Sequence, residues 1–134
     1  MSLSGNDDIF TTLISDLDEC ELSVVCLCGE LDASSVPGFI SDVQSLINRR
    51  RNVIMDVHLL EYTDSTGIAA ILSTKTALDA LGRRLLLVGC HGLLTKVLHI
   101  TRIETELCCY ESMEDAVNSI KRSPPHLKRA TKRR

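Results

Sequence analysis

Short, continuously apolar runs alternate along the chain with longer stretches whose apolar residues recur every three or four positions. Residues 21–31 carry Leu22, Val24 and Cys26 on one face and Val25 and Leu27 on the other. Residues 53–57 and 85–88 are likewise apolar throughout, apart from Asp56. Runs of this length, apolar on both faces, fit strands covered from both sides. Between them Val36, Phe39, Ile40, Val43, Leu46 and Ile47 follow the spacing of an amphipathic helix. Ser34, Ser35 and Pro37 supply its start signals. Arg49, Arg50 and Arg51 close it with cations suited to the negative end of the helix dipole.

A second helix is predicted over 65–81, with Ile68, Ile71, Leu72 and Leu78 inward. Lys75 and Asp79, four apart, are placed to pair on it, and Gly82 stops it. A short helix follows over 92–100, then a strand over 107–110. Ser112 and Asp115 resemble a capping box before Met113, Ala116, Val117 and Ile120, a last amphipathic helix. A first strand over 9–14 turns tightly near 16–19 into the second and pairs with it antiparallel. Residues 58–63 read as a loop. The order is β-β-α-β-α-β-α-β-α. The fold class is α/β, with a mainly parallel, four- to five-stranded sheet, about four helices and right-handed crossovers.

A length of 134 residues suits one domain with a usable core. The body is read as 9–120, preceded by a short extension (1–8) and followed by a tail (121–134). No apolar run approaches the ~20 residues of a membrane helix, and a secretory pattern is not seen. The chain therefore reads as cytoplasmic. That setting makes the six cysteines buried thiols rather than bridges, Cys26, Cys28, Cys108 and Cys109 above all. Cys26-x-Cys28 is not a usual zinc spacing, so no metal and no cofactor are expected. The tail holds seven cations and no acid, so the formal charge of −3 leaves −10 on residues 1–120. An acidic body is a poor surface for nucleic acid, which argues against direct DNA binding. The tail reads as a solvated end, with an acidic partner or surface as its functional alternative.

The candidate chemistry lies in Asp64-Ser65-Thr66-Gly67, after a strand and a polar loop. Two hydroxyls at a helix start sit beside free backbone N–H groups. Such a hydroxyl is a helix cap, a nucleophile or a phosphorylation site. The nucleophile lacks support: Ser65 is not in a G-x-S-x-G turn, no P-loop is present, and nothing in the sequence places His58, His91 or His99 beside it. No catalytic residue is assigned.

Several stretches in order carry a family resemblance: Gly29-Glu30-Leu31-Asp32, Val53-Ile54-Met55-Asp56, Asp64-Ser65-Thr66-Gly67-Ile68, Leu85-Leu86-Leu87-Val88-Gly89 and Val97-Leu98-His99-Ile100-Thr101. Together they resemble STAS domains, in particular bacterial anti-sigma factor antagonists. The resemblance implies a phosphoprotein that regulates transcription by partner switching. Its partner is an anti-sigma factor, an ATP-dependent Ser kinase that phosphorylates Ser65, with Thr66 as cap and second phosphoacceptor. A Ser phosphatase would reset it. The docking surface so implied comprises Asp32, Ser34, Ser35, Asp64, Ser65, Thr66, Gly67 and Ile68. The competing reading is a non-switching STAS subunit docked in a lipid-transport or other transporter-associated complex. The 58–63 stretch lacks the usual aromatic or apolar residue directly before the Asp, and the basic tail has no counterpart in the family pattern.

Overall fold

The apolar run beginning at Leu22 forms the hub of the sheet. The computed structural model describes residues 10–17, 19–100 and 107–122. In chain order these form β1 (Phe10–Leu17), a 3-10 turn (Glu19–Glu21), β2 (Leu22–Leu31), α1 (Val36–Asn48), β3 (Asn52–Asp56), β4 (Leu60–Thr63), α2 (Ser65–Ala80), β5 (Leu85–Val88), α3 (Gly92–Ile100), β6 (Cys108–Tyr110) and α4 (Met113–Arg122). The strand order is β1-β2-β3-β5-β6, with β4 also on β2. Among the described residues only β1–β2 is antiparallel; β3, β4, β5 and β6 are added in parallel.

The expected α/β architecture is present, with a sixth strand where a loop was expected. Leu60–Thr63 continues the line of β3 along β2. Cys26 partners Asp56, Gly29 partners Leu60 and Leu31 partners Thr63, with a register shift after Gly29. One extra residue lies between the two strands and another, Glu61, within β4 at the shift, and such a bulge hides the period-two signal that would have marked the strand.

Alternating side chains of the strands feed two cores. Val25, Leu27, Leu31, Val53, Met55 and Leu87 face α1 and α2, which contribute Phe39, Val43, Leu46, Ile68, Ile71 and Leu78. Leu22, Ile54, Leu86 and Val88 face α4, through Ala116 and Ile120. Fully burying one such side chain is worth about 1.5–3 kcal/mol. Among the described residues the second face is only half covered, contrary to the reading of β2 as covered on both sides. Opposite the α1–α2 layer, Val24, Cys26 and Cys28 remain partly exposed, and their neighbours on β1, Leu13 and Leu17, are 65% and 41% exposed.

Two arginines after α1 act on side chains and carbonyls rather than in the helix's last turn. Arg49 pairs with Asp16 at 2.7 Å. Arg51 donates to the carbonyls of Leu17 and Leu22 and to Ser23 Oγ, strapping the β1–β2 hairpin to the helix end. Lys75 Nζ meets Asp79 at 2.6 Å, as its spacing predicts. Ser112 Oγ accepts from the Asp115 N–H, so the cap of α4 is where the sequence puts it. That helix runs on to Arg122, so Lys121 and Arg122 are helical; the rest of the expected tail, and residues 1–9, lie outside the described residues.

The cysteine reading needs correction. Cys109 is bridged to Cys90, with Cα atoms 6.6 Å apart, and Cys108 is exposed. The three-residue β6 lies at the sheet edge, so the sulfur of Cys109 meets the loop after β5 instead of a covering helix.

Candidate functional site

β2 and β4 run parallel and end side by side, at strands about 4.8 Å apart, with Leu31 opposite Thr63. The next residues, Asp32 and Asp64, therefore open two turns on the same end of the sheet. Thr63 is buried and donates its hydroxyl to the Leu31 carbonyl at 2.9 Å, locking the strand ends together.

Asp64 is extended (φ −116°, ψ −170°) and caps α2: its Oδ1 accepts from the Gly67 N–H at 3.0 Å. The expectation that Thr66 is the cap is thereby corrected. Asp64 lies outside the helix, where a carboxylate reaches the third residue; Thr66 is already inside. Ser65 and Thr66 are the first two helical residues, both exposed. Neither hydroxyl is tied down by a side-chain hydrogen bond among the described residues. Their N–H groups belong to the unsatisfied first turn, the positive end of the helix dipole.

Gly67 follows where nothing larger fits. A Cβ there would run into Thr63 Oγ1 and lie 2.6 Å from the Leu31 carbonyl oxygen. Ile68 is buried at 6% exposure and pins the first turn of α2 in the core. Cap, close approach and anchor together fix the direction in which Ser65 faces solvent.

The neighbouring turn is organised by Asp32. Its Oδ1 accepts from the hydroxyl and N–H of Ser34 at 2.8 and 3.0 Å. Ser35 Oγ donates to the Glu30 carbonyl and accepts from the Asp32 N–H. The Ser34 hydroxyl above all, opposed next by burial and helped by the Ser34 and Ser35 N–H groups, holds the Asp32 carboxyl below its ordinary value. Ser35 stands at the N-cap of α1 without a side-chain bond to that helix, and Pro37 takes an early helical position.

All eight residues named from the sequence thus lie on or directly beneath the two turns. Sequence reasoning missed the wall beside them. Leu60, Tyr62 and Thr63 line a hollow of about 110 Å³ with His91, Gly92 and Leu94 from the start of α3. Leu59 and Tyr62 are 49% and 43% exposed, unusual for side chains of their size. The signal available was the apolar and aromatic content of a stretch read as a polar loop. His58 lies elsewhere, its Nδ1 2.6 Å from Asp56 Oδ1. No group of three or more metal-donor side chains gathers among the described residues, and no helix among them is long and apolar enough to cross a membrane.

The geometry suits recognition of an exposed serine and its charge state. A phosphate on Ser65 would meet open N–H groups but stand beside the Asp64 carboxylate.

No curated protein matches the chain by sequence. Solved structures do match in fold. An anti-sigma factor antagonist from Mycobacterium paratuberculosis is 22% identical, with a TM-score of 0.77, over 85% of this chain and 96% of that one. Bacillus SpoIIAA, solved unphosphorylated and phosphorylated, is 20% identical, with TM-scores of 0.67 and 0.66; the matches cover 83% and 82% of this chain and 98% and 99% of those. The murine anion transporter Slc26a9 is 17% identical, with a TM-score of 0.64, over 84% of this chain but 22% of the transporter. The family model for the STAS domain matches residues 12–116. The chain belongs to the STAS domain family.

Proposed function

We propose that this STAS domain is an anti-sigma factor antagonist: a cytoplasmic binding module that docks an anti-sigma factor Ser kinase through the 32–35 and 64–68 turns. Phosphorylation of Ser65 releases the kinase and a phosphatase restores docking. The reading is carried by one observation: an exposed, unbonded serine presented at the start of α2 by a capped and sterically fixed turn. Its likeness to antagonists, one of them solved in both phosphorylation states, supports it.

The chemistry of the switch is electrostatic. Phosphate adds about −1.5 to −2 charges next to Asp64, within a body of formal charge −10 over residues 1–120. A partner that must desolvate this group without supplying cations loses affinity; about 3 kcal/mol is ~100-fold. No refolding is required, and the chain acts by binding rather than turnover.

The test is affinity capture from the source cells with wild type, Ser65→Ala and Ser65→Asp, followed by phosphosite mass spectrometry. An ATP-binding Ser kinase should co-purify with wild type and Ser65→Ala and be lost with Ser65→Asp, with phosphate on Ser65 or Thr66. The transporter match favours one alternative, a STAS subunit docked constitutively in a membrane complex. Capture of membrane proteins, indifferent to Ser65→Asp, would select it.

A further inference from the structure

The Cys90–Cys109 bridge lies next to the hollow, not in the main core. Cys90 occupies the loop between β5 and α3. Its neighbour Gly89 donates its N–H to the Tyr110 carbonyl at 3.1 Å, and His91 and Gly92, the next two residues, form one wall of the hollow beside the 64–67 turn. Cys109 is on β6, three residues long and, among the described residues, paired only with β5. The bridge is thus the covalent tie between an edge strand and the start of α3. A second hollow, of about 370 Å³, opens along it between Cys90, Cys109, Leu98, Leu107 and Tyr110.

Accessibility and chemistry single out this pair. Cys109 is exposed and Cys90 half-buried, so a reagent reaches the sulfurs without unfolding the sheet. Cys108 is exposed too, but adjacent strand residues point to opposite faces, so it is turned away from Cys90. Cys26 and Cys28, with sulfurs 3.9 Å apart, sit on the other face of β2. There burial, then the hydrogen bond to Cys28, raises the Cys26 thiol to about 11 and keeps it a poor nucleophile.

We propose that Cys90 and Cys109 are a reversible oxidation site, responsive to peroxide, whose bridge fixes the start of α3 and so the wall of the hollow that reaches Thr63, at the strand end before the 64–67 turn. In oxidation, one thiolate sulfur attacks a peroxide oxygen, giving a sulfenic acid and one water after protonation. The second thiolate attacks that sulfur, the S–S bond forms and the sulfenic oxygen leaves as a second water. Two electrons pass from the sulfurs to the peroxide. A dithiol reverses the step through a mixed disulfide, becoming a disulfide itself while both cysteines regain protons. Opening the bridge leaves β6 held by β5 pairing, by buried Leu107 before it and by the Tyr110 hydroxyl on Ser119 Oγ of α4, and leaves the α3 start held by Leu94 and Leu98, which are buried. Locally weak elements of this kind open first.

The experiment uses the full chain, reduced and then treated with stoichiometric hydrogen peroxide. Samples are quenched, unfolded and alkylated for peptide mapping. The reduced chain should take six alkyl groups and the oxidised chain four, the missing two at Cys90 and Cys109. Native treatment with a dithiol should restore six. Amide exchange over α3 should be about tenfold faster in the reduced chain and in Cys109→Ser, while Cys108→Ser cycles like wild type. Failure of the bridge to form, its opening only in the unfolded chain, unchanged α3 exchange, or loss of the cycle in Cys108→Ser would each overturn the proposal. These readouts need no partner, so their failure is separable from failure of the antagonist reading.

Discussion

Gly67 and Gly38 occupy the same position, third in α2 and third in α1, yet substitution by alanine should shift stability in opposite directions. Propensity alone favours alanine at either site by about 1 kcal/mol. At Gly38 an added Cβ meets nothing within 4 Å, so the gain should be realised. At Gly67 the Cβ would strike Thr63 Oγ1 and lie 2.6 Å from the Leu31 carbonyl oxygen and 3.1 Å from Leu31 Cγ. Neither oxygen yields easily, because they are hydrogen-bonded to each other in the buried seam between β2 and β4. Overpacking costs about 1–3 kcal/mol, and losing the Thr63–Leu31 bond adds about 1. Set against the propensity gain, Gly67→Ala should destabilise by about 1–3 kcal/mol. Urea unfolding of the wild type and both variants measures this, with an unchanged slope confirming that the midpoint shift is a stability change. A Gly67→Ala chain as stable as Gly38→Ala would refute the claim that close approach of α2 to the strand ends fixes the site.

Two further outcomes test the site's construction. Asp64→Ala removes the cap of α2 and should cost about 1 kcal/mol, again read from urea midpoints; no loss would mean that the Asp64–Gly67 bond does not hold the turn. The lowered Asp32 carboxyl gives a pH signature. Its stabilisation is full above the unfolded value of about 3.9 and fades as pH falls through the lower folded value. The stability difference between wild type and Asp32→Asn should therefore narrow steadily as pH is lowered below about 4, and a difference that stays constant would show that the carboxylate charge is not engaged by Ser34.

Legibility in the sequence tracked how much of a segment's environment was local. The helices over 36–48 and 113–122 announce themselves through spacing and caps that lie within a few residues. The 64–67 turn was visible because its residue types carry its chemistry. What escaped depended on distant partners. Leu60–Thr63 is a strand only because β2 continues past β3 to receive it. The Cys90–Cys109 bridge joins segments 19 residues apart that meet through β5–β6 pairing. The partly exposed Cys26 and Cys28 reflect where α4 fails to reach, which no property of β2 encodes. The cap fell to Asp64 rather than Thr66 because the helix begins two residues earlier than a Thr66 cap requires.

The register changes between Asp56 and Thr63 give β2 two successive parallel partners with separate registers. β3 sets the alignment of the core and β4 that of the switch. A residue inserted or removed in this splice would turn Thr63 away from Leu31 while leaving the Ser23–Val53 to Val25–Met55 ladder of β2 and β3 in place. The segment therefore works as an adjustable coupling between scaffold and recognition surface. For anyone redesigning the partner preference of this domain, loop length here re-aims the recognition surface at the cost of the Thr63–Leu31 bond, about 1 kcal/mol, while the main core keeps its register.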